Sequence, residues 1–216
     1  MLDVLFATST MVAALAAGAT DVVPMLDGAA ARAAAARERA GAFVLAGELN
    51  TITLEGFAPP TPVALIEHGV AGRRLIYSTT NGTVAFHACS GAPDVYAGAL
   101  LNGEAVVERV LAEHPQRTVL IVCSGSAGNF NLEDFYGAGY LVDLLARRLG
   151  DGVDVSDAGL AARALYRSGP PAETLLGCRV GRMMIERGLE REVRYAARLS
   201  VADVVPRYDG GILRPC

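Results

Sequence analysis

The feature that most constrains the fold is an alternation of short β-branched runs with longer alanine-rich stretches over the first two thirds of the 216-residue chain. Most of the short runs are bounded by Gly, Pro or Asp, which is typical of strands. They predict strands at residues 2–5, 21–24, 42–46, 75–78, 94–97 and 118–123. The stretches between them predict helices at 10–17, 28–40, 83–88, 102–113 and 132–149. This rhythm favours a three-layer αβα fold with a largely parallel sheet.

The last third of the chain has a different pattern. From about residue 156 it becomes helical, and a short apolar piece follows at 204–205. We expect a helical layer and a closing edge here, so that residues 1–216 form a single α/β domain around one core. At the other end, only Met1 and Leu2 precede Asp3. The first strand is therefore either cut short or begins upstream of Met1.

Composition excludes several classes of function. The formal net charge is −4, so no overall basic field favours nucleic acid or an anionic membrane as a partner. All 19 basic residues are Arg, which excludes a Walker phosphate loop, a lysine Schiff base and a pyridoxal anchor. The four cysteines form no CxxC pair for zinc or thiol chemistry. No apolar stretch reaches the length of a membrane span, and we expect a cytoplasmic protein.

Polar loops follow several of the predicted strands. Ligands of open α/β sheets bind outside the carboxyl ends of the strands, so these loops are the candidate site. Backbone N–H groups and hydroxyls there can hold an anion without lysine. The predicted substrate-binding residues are Thr8, Ser9, Thr80, Asn81, Gly82, Thr83, Ser124, Gly125 and Ser126. For Thr8 and Ser9 the alternative is that they cap the following helix.

Acidic residues in the same loops suit a hard cation. Carboxylate oxygens are the ligands that Mg²⁺ prefers, and Asp3, Glu133 and Asp134 are the predicted metal ligands. Asp3, Glu48 and Asp134 are the predicted catalytic residues, as general acid, general base or metal ligand. The alternative is that they are solvated acids near helix N-termini, which accounts for Glu133 and Asp134 equally well.

Known phosphatase and hydrolase machineries do not match the chain. A cysteine phosphatase needs Arg six places after its nucleophile, and Asn129 stands six places after Cys123. A haloacid-dehalogenase-type enzyme would have Asp where Leu5 stands. The turn around Ser126 is similar to a nucleophile elbow, but the last histidine is His114 and no later one can complete the triad.

Read in order, the motifs resemble the 2-phosphosulfolactate phosphatase family. They are Asp-Val-Leu-x-Ala-Thr-Ser-Thr at 3–10, Gly-Glu at 47–48, Glu-Gly-Phe at 55–57, Thr-Thr-Asn-Gly-Thr at 79–83, Leu-Leu-Asn at 100–102 and Cys-Ser-Gly-Ser…Leu-Glu-Asp at 123–134. The resemblance implies an α/β fold and a Mg²⁺-dependent phosphatase acting on 2-phosphosulfolactate in coenzyme M biosynthesis. The partner so implied is a small anionic substrate, and the apolar composition is compatible with a homodimer.

The chain departs from the family pattern at positions that bear on the substrate. Phe6 and Leu49 stand where the pattern has Arg, and Val180 and Ser200 stand where it has His and an acid. Arg binds phosphate and sulfonate through charge-assisted bidentate bonds, so these changes reduce the charge available for a doubly anionic substrate. Three hypotheses stay open: a phosphatase, a lyase or isomerase acting on a less charged substrate, and a non-catalytic binding protein.

Overall fold

The structure, a computed structural model, describes residues 1–150 and 153–216. Its strands are β1 (Val22–Met25), β2 (Phe43–Leu49), β3 (Ile52–Thr53), β4 (Arg74–Ser78), β5 (Val95–Tyr96), β6 (Pro206–Asp209) and β7 (Ile212–Pro215). Its helices are α1 (Ala7–Ala16), α2 (Gly28–Ala35), α3 (Pro62–His68), α4 (Gly82–Ala88), α5 (Gly103–Glu113), α6 (Leu132–Leu149), α7 (Asp157–Arg167), α8 (Pro171–Gly177), α9 (Arg179–Glu186) and α10 (Glu190–Ala196). A 3-10 turn at Leu100–Asn102 precedes α5.

The sheet confirms the predicted α/β fold. Its strand order is β3-β2-β4-β1-β7-β6-β5, and the neighbours β2, β4 and β1 run parallel. The remaining pairs are antiparallel, so the sheet is mixed, with a parallel centre. Helices cover both faces of β4 because its side chains alternate: Leu75 and Tyr77 pack with Met11, while Ile76 packs with Ala31.

Two predicted strands do not form. Residues 2–5 and 118–123 contribute only single bridges, from Leu2 to Gly98 and to Cys123. The chain leaves the sheet after Leu2 because Asp3 O accepts a hydrogen bond from Thr8 N at 3.0 Å and starts the turn into α1. The segment 118–123 lies beside Leu2 as an exposed edge, with Leu120 81% exposed.

The carboxyl-terminal pieces also differ from the prediction. The closing strands are the β6–β7 hairpin, which begins at Pro206 rather than at 204–205. The hairpin lies inside the sheet, where β7 pairs with β1 and β6 pairs with β5, so it is not an edge. The helix predicted at 28–40 ends at Ala35, and Glu38 beyond it pairs with Arg74.

The helical last third packs onto α6. Leu175 and Val193 share an apolar cluster with Leu2 and Tyr136, so the late helices and the start of the chain bury one another. No helix of the described residues is long and apolar enough to cross a membrane.

Candidate active site

Asp3 occupies the point where the chain leaves the sheet for α1. The Thr8 hydroxyl accepts a bond from Asp3 N at 3.0 Å and donates to Asp3 O at 2.9 Å, while the Ser9 hydroxyl donates to Val4 O at 2.8 Å. Both hydroxyls are fully buried, and neither lines the cavity described below. Because their protons already lie on backbone oxygens, we assign Thr8 and Ser9 the positioning of Asp3 instead of a substrate contact.

Gly82 allows the Asp3 carboxyl to pack against the start of α4. A Cβ atom at residue 82 would lie 2.5 Å from Asp3 Oδ2 and 2.3 Å from Ala7 Cβ, so any side chain would displace the carboxyl. Thr83 is buried, and its hydroxyl donates to Thr79 O at 2.9 Å. Gly82 and Thr83 shape this loop, and neither lines the cavity described below.

Glu48 connects the ends of β2 and β4. Its Oε1 accepts from Thr80 N at 2.6 Å, and its Oε2 accepts from Thr80 Oγ1 at 3.0 Å. Thr80 Oγ1 also accepts from Asn50 N at 2.9 Å, so this hydroxyl is already paired on both sides. Glu48 and Thr80 hold the two loops together at the cavity wall.

Asp134, in the first turn of α6, binds three groups behind Asp3. Its Oδ1 accepts from Val4 N at 2.8 Å, and its Oδ2 accepts from Gly125 N at 3.1 Å and Ser124 Oγ at 3.2 Å. Ser124 and Gly125 are thereby bound to Asp134 and do not line the cavity. The neighbouring Glu133 is 1% exposed, and its Oε1 has no hydrogen-bond partner among the described residues.

Electrostatics set these three carboxyls apart from ordinary surface acids. Burial, helped by the charges of Glu133 and Glu48, raises the pKa of Asp3 to about 6, although the hydrogen bond from Ala7 N acts in the opposite direction. Burial and then the charge of Asp3 raise the pKa of Asp134 well above its usual range. Burial also raises the pKa of Glu133. A nearby cation would relieve this repulsion.

A cavity of about 480 Å³, the Asp3 cavity, opens beside these groups. Its polar side includes Asp3, Glu48, Thr80, Asn81, Ser126 and Arg179. Six more polar residues line the cavity: Asn50, Thr51, Thr53, Thr61, Tyr77 and Thr79. Its apolar side is formed by Leu5, Phe6, Pro59, Pro60, Ala64, Val180, Met183, Met184 and Leu189. Of the predicted site residues, Asp3, Glu48, Thr80, Asn81 and Ser126 therefore meet in one cavity, whereas Glu133 and Asp134 stand behind it.

Two predicted residues keep free donors at the cavity. Asn81 Oδ1 accepts from Ala127 N at 3.0 Å, and within the described chain its amide nitrogen has no partner. Ser126 Oγ accepts from Asn131 Nδ2 at 2.9 Å, so its own proton can be donated. Both can bind a phosphoryl oxygen.

Arg179 is the site residue that the sequence analysis missed. It opens α9 and donates to Asn131 Oδ1 at 3.1 Å, which links it through Asn131 to Ser126. It is the only cationic side chain among the described residues that line the Asp3 cavity. Its position after Cys178, at the start of a predicted helical layer, gives no signal in the sequence, because it follows no predicted strand.

The carboxylates beside the cavity suit a Mg²⁺ ion that keeps several of its waters better than an ion held by protein ligands alone. No group of three or more His, Cys, Asp and Glu side chains in residues 1–150 and 153–216 is arranged to hold a metal, so the three predicted ligands do not form a closed site. Mg²⁺ in phosphate sites is held by one or two carboxylates, waters and the substrate. Asp3 and Asp134, with the unpaired buried oxygen of Glu133 nearby, meet that lesser requirement.

Other candidate groups lie elsewhere or are inert. A larger, mostly apolar cavity of about 980 Å³ lies beyond Thr80 and Asn81. Of its ionisable residues, Asp94 and His114 already contact Arg207 and Tyr96, and Arg117 is exposed. Cys123 is half-buried at the edge of the sheet, and burial raises its pKa to about 12, so its thiol stays protonated.

Comparison with known proteins decides the family. The family model described as 2-phosphosulpholactate phosphatase matches residues 1–211. The chain belongs to this family. The resemblance inferred from the motifs is therefore confirmed.

Relatives from three bacteria support the same assignment, and each is named "Probable 2-phosphosulfolactate phosphatase". The protein from Deinococcus radiodurans is 37% identical over 95% of this chain and 85% of its own length. The one from Carboxydothermus hydrogenoformans is 35% identical over 95% and 84%. The one from Clostridium tetani is 30% identical over 99% and 90%. Each alignment thus covers nearly all of this chain and at least 84% of the relative. The covered part of this chain includes the segments that carry Asp3, Glu48, Asn81 and Asp134.

Proposed function

We propose that this chain is a cytoplasmic, Mg²⁺-dependent phosphatase that hydrolyses the phosphate ester of a small anionic acid. The observation that carries the proposal is the pair of buried carboxyls, Asp3 and Asp134, with raised pKa values, beside a cavity with neutral phosphate donors. The family supports phosphate-ester chemistry, and the relatives' name supports 2-phosphosulfolactate as the first substrate to test.

The charge balance of the Asp3 cavity explains why a cation is needed. Its charged lining consists of Asp3, Glu48 and the exposed Arg179. A phosphate monoester would add further negative charge to a wall that already carries two carboxyls against one guanidinium. Cations that bridge phosphate oxygens neutralise such charge, so phosphate binding and Mg²⁺ binding should depend on each other.

The residues divide into those that contact the substrate and those that position them. Asn81 and Ser126 would donate to the phosphoryl oxygens, and Arg179 would add a charge-assisted bond. Asp3 would hold the cation with Asp134 or accept the proton of the attacking water. When bound, Mg²⁺ would polarise a phosphoryl oxygen and orient that water. Glu48 keeps the Thr80 loop in place.

The test is phosphate release by the purified chain from 2-phosphosulfolactate, with Mg²⁺ or with EDTA. We expect turnover only with Mg²⁺, and a loss of at least about 100-fold in kcat for Asp3→Asn, in line with removal of one general acid–base group. Asp27→Asn is the matched control, because Asp27 caps α2 through Ala30 and Asn caps equally well. Full turnover by Asp3→Asn would remove Asp3 from the chemistry.

The competing hypotheses have distinct outcomes in the same assay. A lyase or isomerase would convert a phosphorylated acid with Mg²⁺ present without releasing phosphate. A binding protein would bind phosphate and Mg²⁺ with no conversion. Assembly into a homodimer stays a prediction from composition, and the molar mass from light scattering in solution would decide it.

A further inference from the structure

The Asp3 cavity has two sides of opposite character. Its charged residues Asp3, Glu48 and Arg179 belong to the polar side, whereas Phe6, Val180, Met183, Met184 and Leu189 pack in one apolar cluster. Tyr77 also lines the cavity, and its hydroxyl donates to Pro60 O at 2.6 Å. Helix α9 joins the two sides, since Arg179 belongs to the polar side while Val180, Met183 and Met184 continue along the apolar side. Phe6 faces them from the segment before α1, and it is buried together with Val180 and Met184. A ligand that fills the cavity must therefore place a different kind of group on each side.

The size of the cavity leaves room for such a ligand. Its volume of about 480 Å³ lies within the range of small-molecule sites, roughly 300–1,000 Å³. A water molecule occupies about 30 Å³ in the liquid, and a phosphoryl group with a few waters fills only part of the space. The remainder adjoins Phe6, Met183 and Leu189, which offer no hydrogen bond to a charged group.

One polar atom on the apolar side is unpaired. Thr61 lines the cavity between Pro60 and Ala64, is 6% exposed, and its Oγ1 has no hydrogen-bond partner among the described residues. Buried hydroxyls are normally paired, so this atom is suited to one hydrogen bond with a ligand. Being neutral, it does not compensate a second strong anion.

We infer that the substrate is a phosphate monoester of a small acid that carries an uncharged apolar arm, seated between Phe6 and Met183. This inference rests on the proposed function and specifies its substrate class. An arm that ends in a sulfonate would lose its hydration against apolar walls without gaining ionic partners. A hydrocarbon arm of similar length gains contacts there, and one methylene in such a pocket changes kcat/KM by about tenfold or more.

The experiment compares esters that share one head group. The full chain with Mg²⁺ is assayed on 2-phosphosulfolactate and on the phosphate esters of 2-hydroxy-4-methylpentanoate and 3-phenyllactate. We expect kcat/KM to be at least about tenfold higher for an apolar ester. Preference for the sulfonate ester would overturn the inference while leaving the phosphatase proposal intact. No phosphate release from any ester would overturn both.

Variants on α9 locate the effect. Met183→Arg should lower kcat/KM for the apolar esters and shift the preference at least about tenfold towards the sulfonate ester, because it places a cation on the apolar side. Ile185→Arg is the matched control, since Ile185 is 40% exposed on the same helix and does not line the cavity. Thr61→Val keeps the shape but removes the hydroxyl, and it should raise KM more than it lowers kcat. An unchanged substrate ratio in Met183→Arg would refute the proposed seat of the arm.

Discussion

Ionisation of Asp3 should be visible as a pH dependence of stability in the metal-free protein. Burial raises its pKa from 3.8 to about 6, so the folded state keeps a proton that the unfolded chain has lost. At about 1.36 kcal/mol for each pH unit, this shift corresponds to about 3 kcal/mol. The pKa of Asp3 is higher in the folded state than in the unfolded chain. The roughly 3 kcal/mol of folding stability is therefore fully present below about pH 3.8 and is lost as the pH rises to about 6.

The assay is urea denaturation in EDTA at pH values from about 4.5 to 7.5, a window that spans most of the titration of Asp3. The free energy of unfolding should fall by at least about 1.4 kcal/mol per pH unit up to about pH 6, since Asp134 and Glu133 shift in the same direction. Asp3→Asn cannot ionise, so its curve should be flatter, whereas the control Asp27→Asn should follow the wild type.

The same denaturation experiment is repeated with Mg²⁺ in place of EDTA. Above pH 6 the carboxyls must ionise in each other's presence, and a bound cation stabilises that state. At a Mg²⁺ concentration about 100 times its dissociation constant, the folded protein should gain about 2.7 kcal/mol. The reasoning fails if the wild type is more stable at pH 7.5 than at pH 5 in EDTA, or if Asp3→Asn keeps the same slope.

Three further substitutions probe the groups around the site. Gly82→Ala should lower kcat at least about 100-fold and the free energy of unfolding by about 1–3 kcal/mol, because its Cβ overlaps Asp3 and Ala7. Gly91→Ala is the control, because a Cβ atom there meets open space, and neither the phosphatase assay nor urea denaturation should show a change. Glu48→Gln weakens the bonds to the Thr80 loop and should raise KM by about tenfold, read from initial rates, while unchanged kinetics would show that the loop holds without it. Asp143→Asn should cost about 3 kcal/mol of stability with kcat preserved, since buried Asp143 pairs with arginines of α6 and α7. Those arginines hold the pKa of Asp143 low against burial, so its stabilisation is present above about pH 3.8 and is lost as the pH falls below it, which acid titration of both forms would show.

The centre of the fold could be predicted because its pattern is local. Strands β1, β2 and β4 are short, largely apolar runs separated by helices, and their parallel pairing follows from that alternation. The place of the β6–β7 hairpin could not be predicted, since nothing in residues 206–215 indicates which strand will pair with β7. The prediction of a strand at 118–123 is wrong because composition does not fix pairing. The segment is apolar, which suggests a buried strand, but it pairs only with Leu2 and stays at an edge of the sheet.

The sequence predicts those parts of the candidate site that lie at the carboxyl ends of neighbouring parallel strands. Strands β2 and β4 are parallel neighbours, so Glu48 and Thr80, near their carboxyl ends, had to come together. Arg179 reaches the cavity from α9, far from Glu48 and Thr80 in sequence, and only tertiary packing brings it there. Phe6 and Leu49 both stand where the family pattern has Arg, but only Phe6 lines the cavity, whereas Leu49 is 57% exposed and does not line it.

Hydroxyls and carboxylates of similar appearance in the sequence serve different purposes, and their partners separate them. Thr8 and Ser9 give their protons to backbone oxygens and fix Asp3, whereas Ser126 only accepts and keeps its proton for a ligand. Asp134 accepts three hydrogen bonds, yet its pKa is raised, so those bonds offset only part of its burial and its repulsion by Asp3. The folded state thus holds unfavourable energy that binding of a cation would release. Folded stability and cation affinity are then linked, and a substitution that removes one carboxyl should stabilise the empty protein while weakening its hold on Mg²⁺.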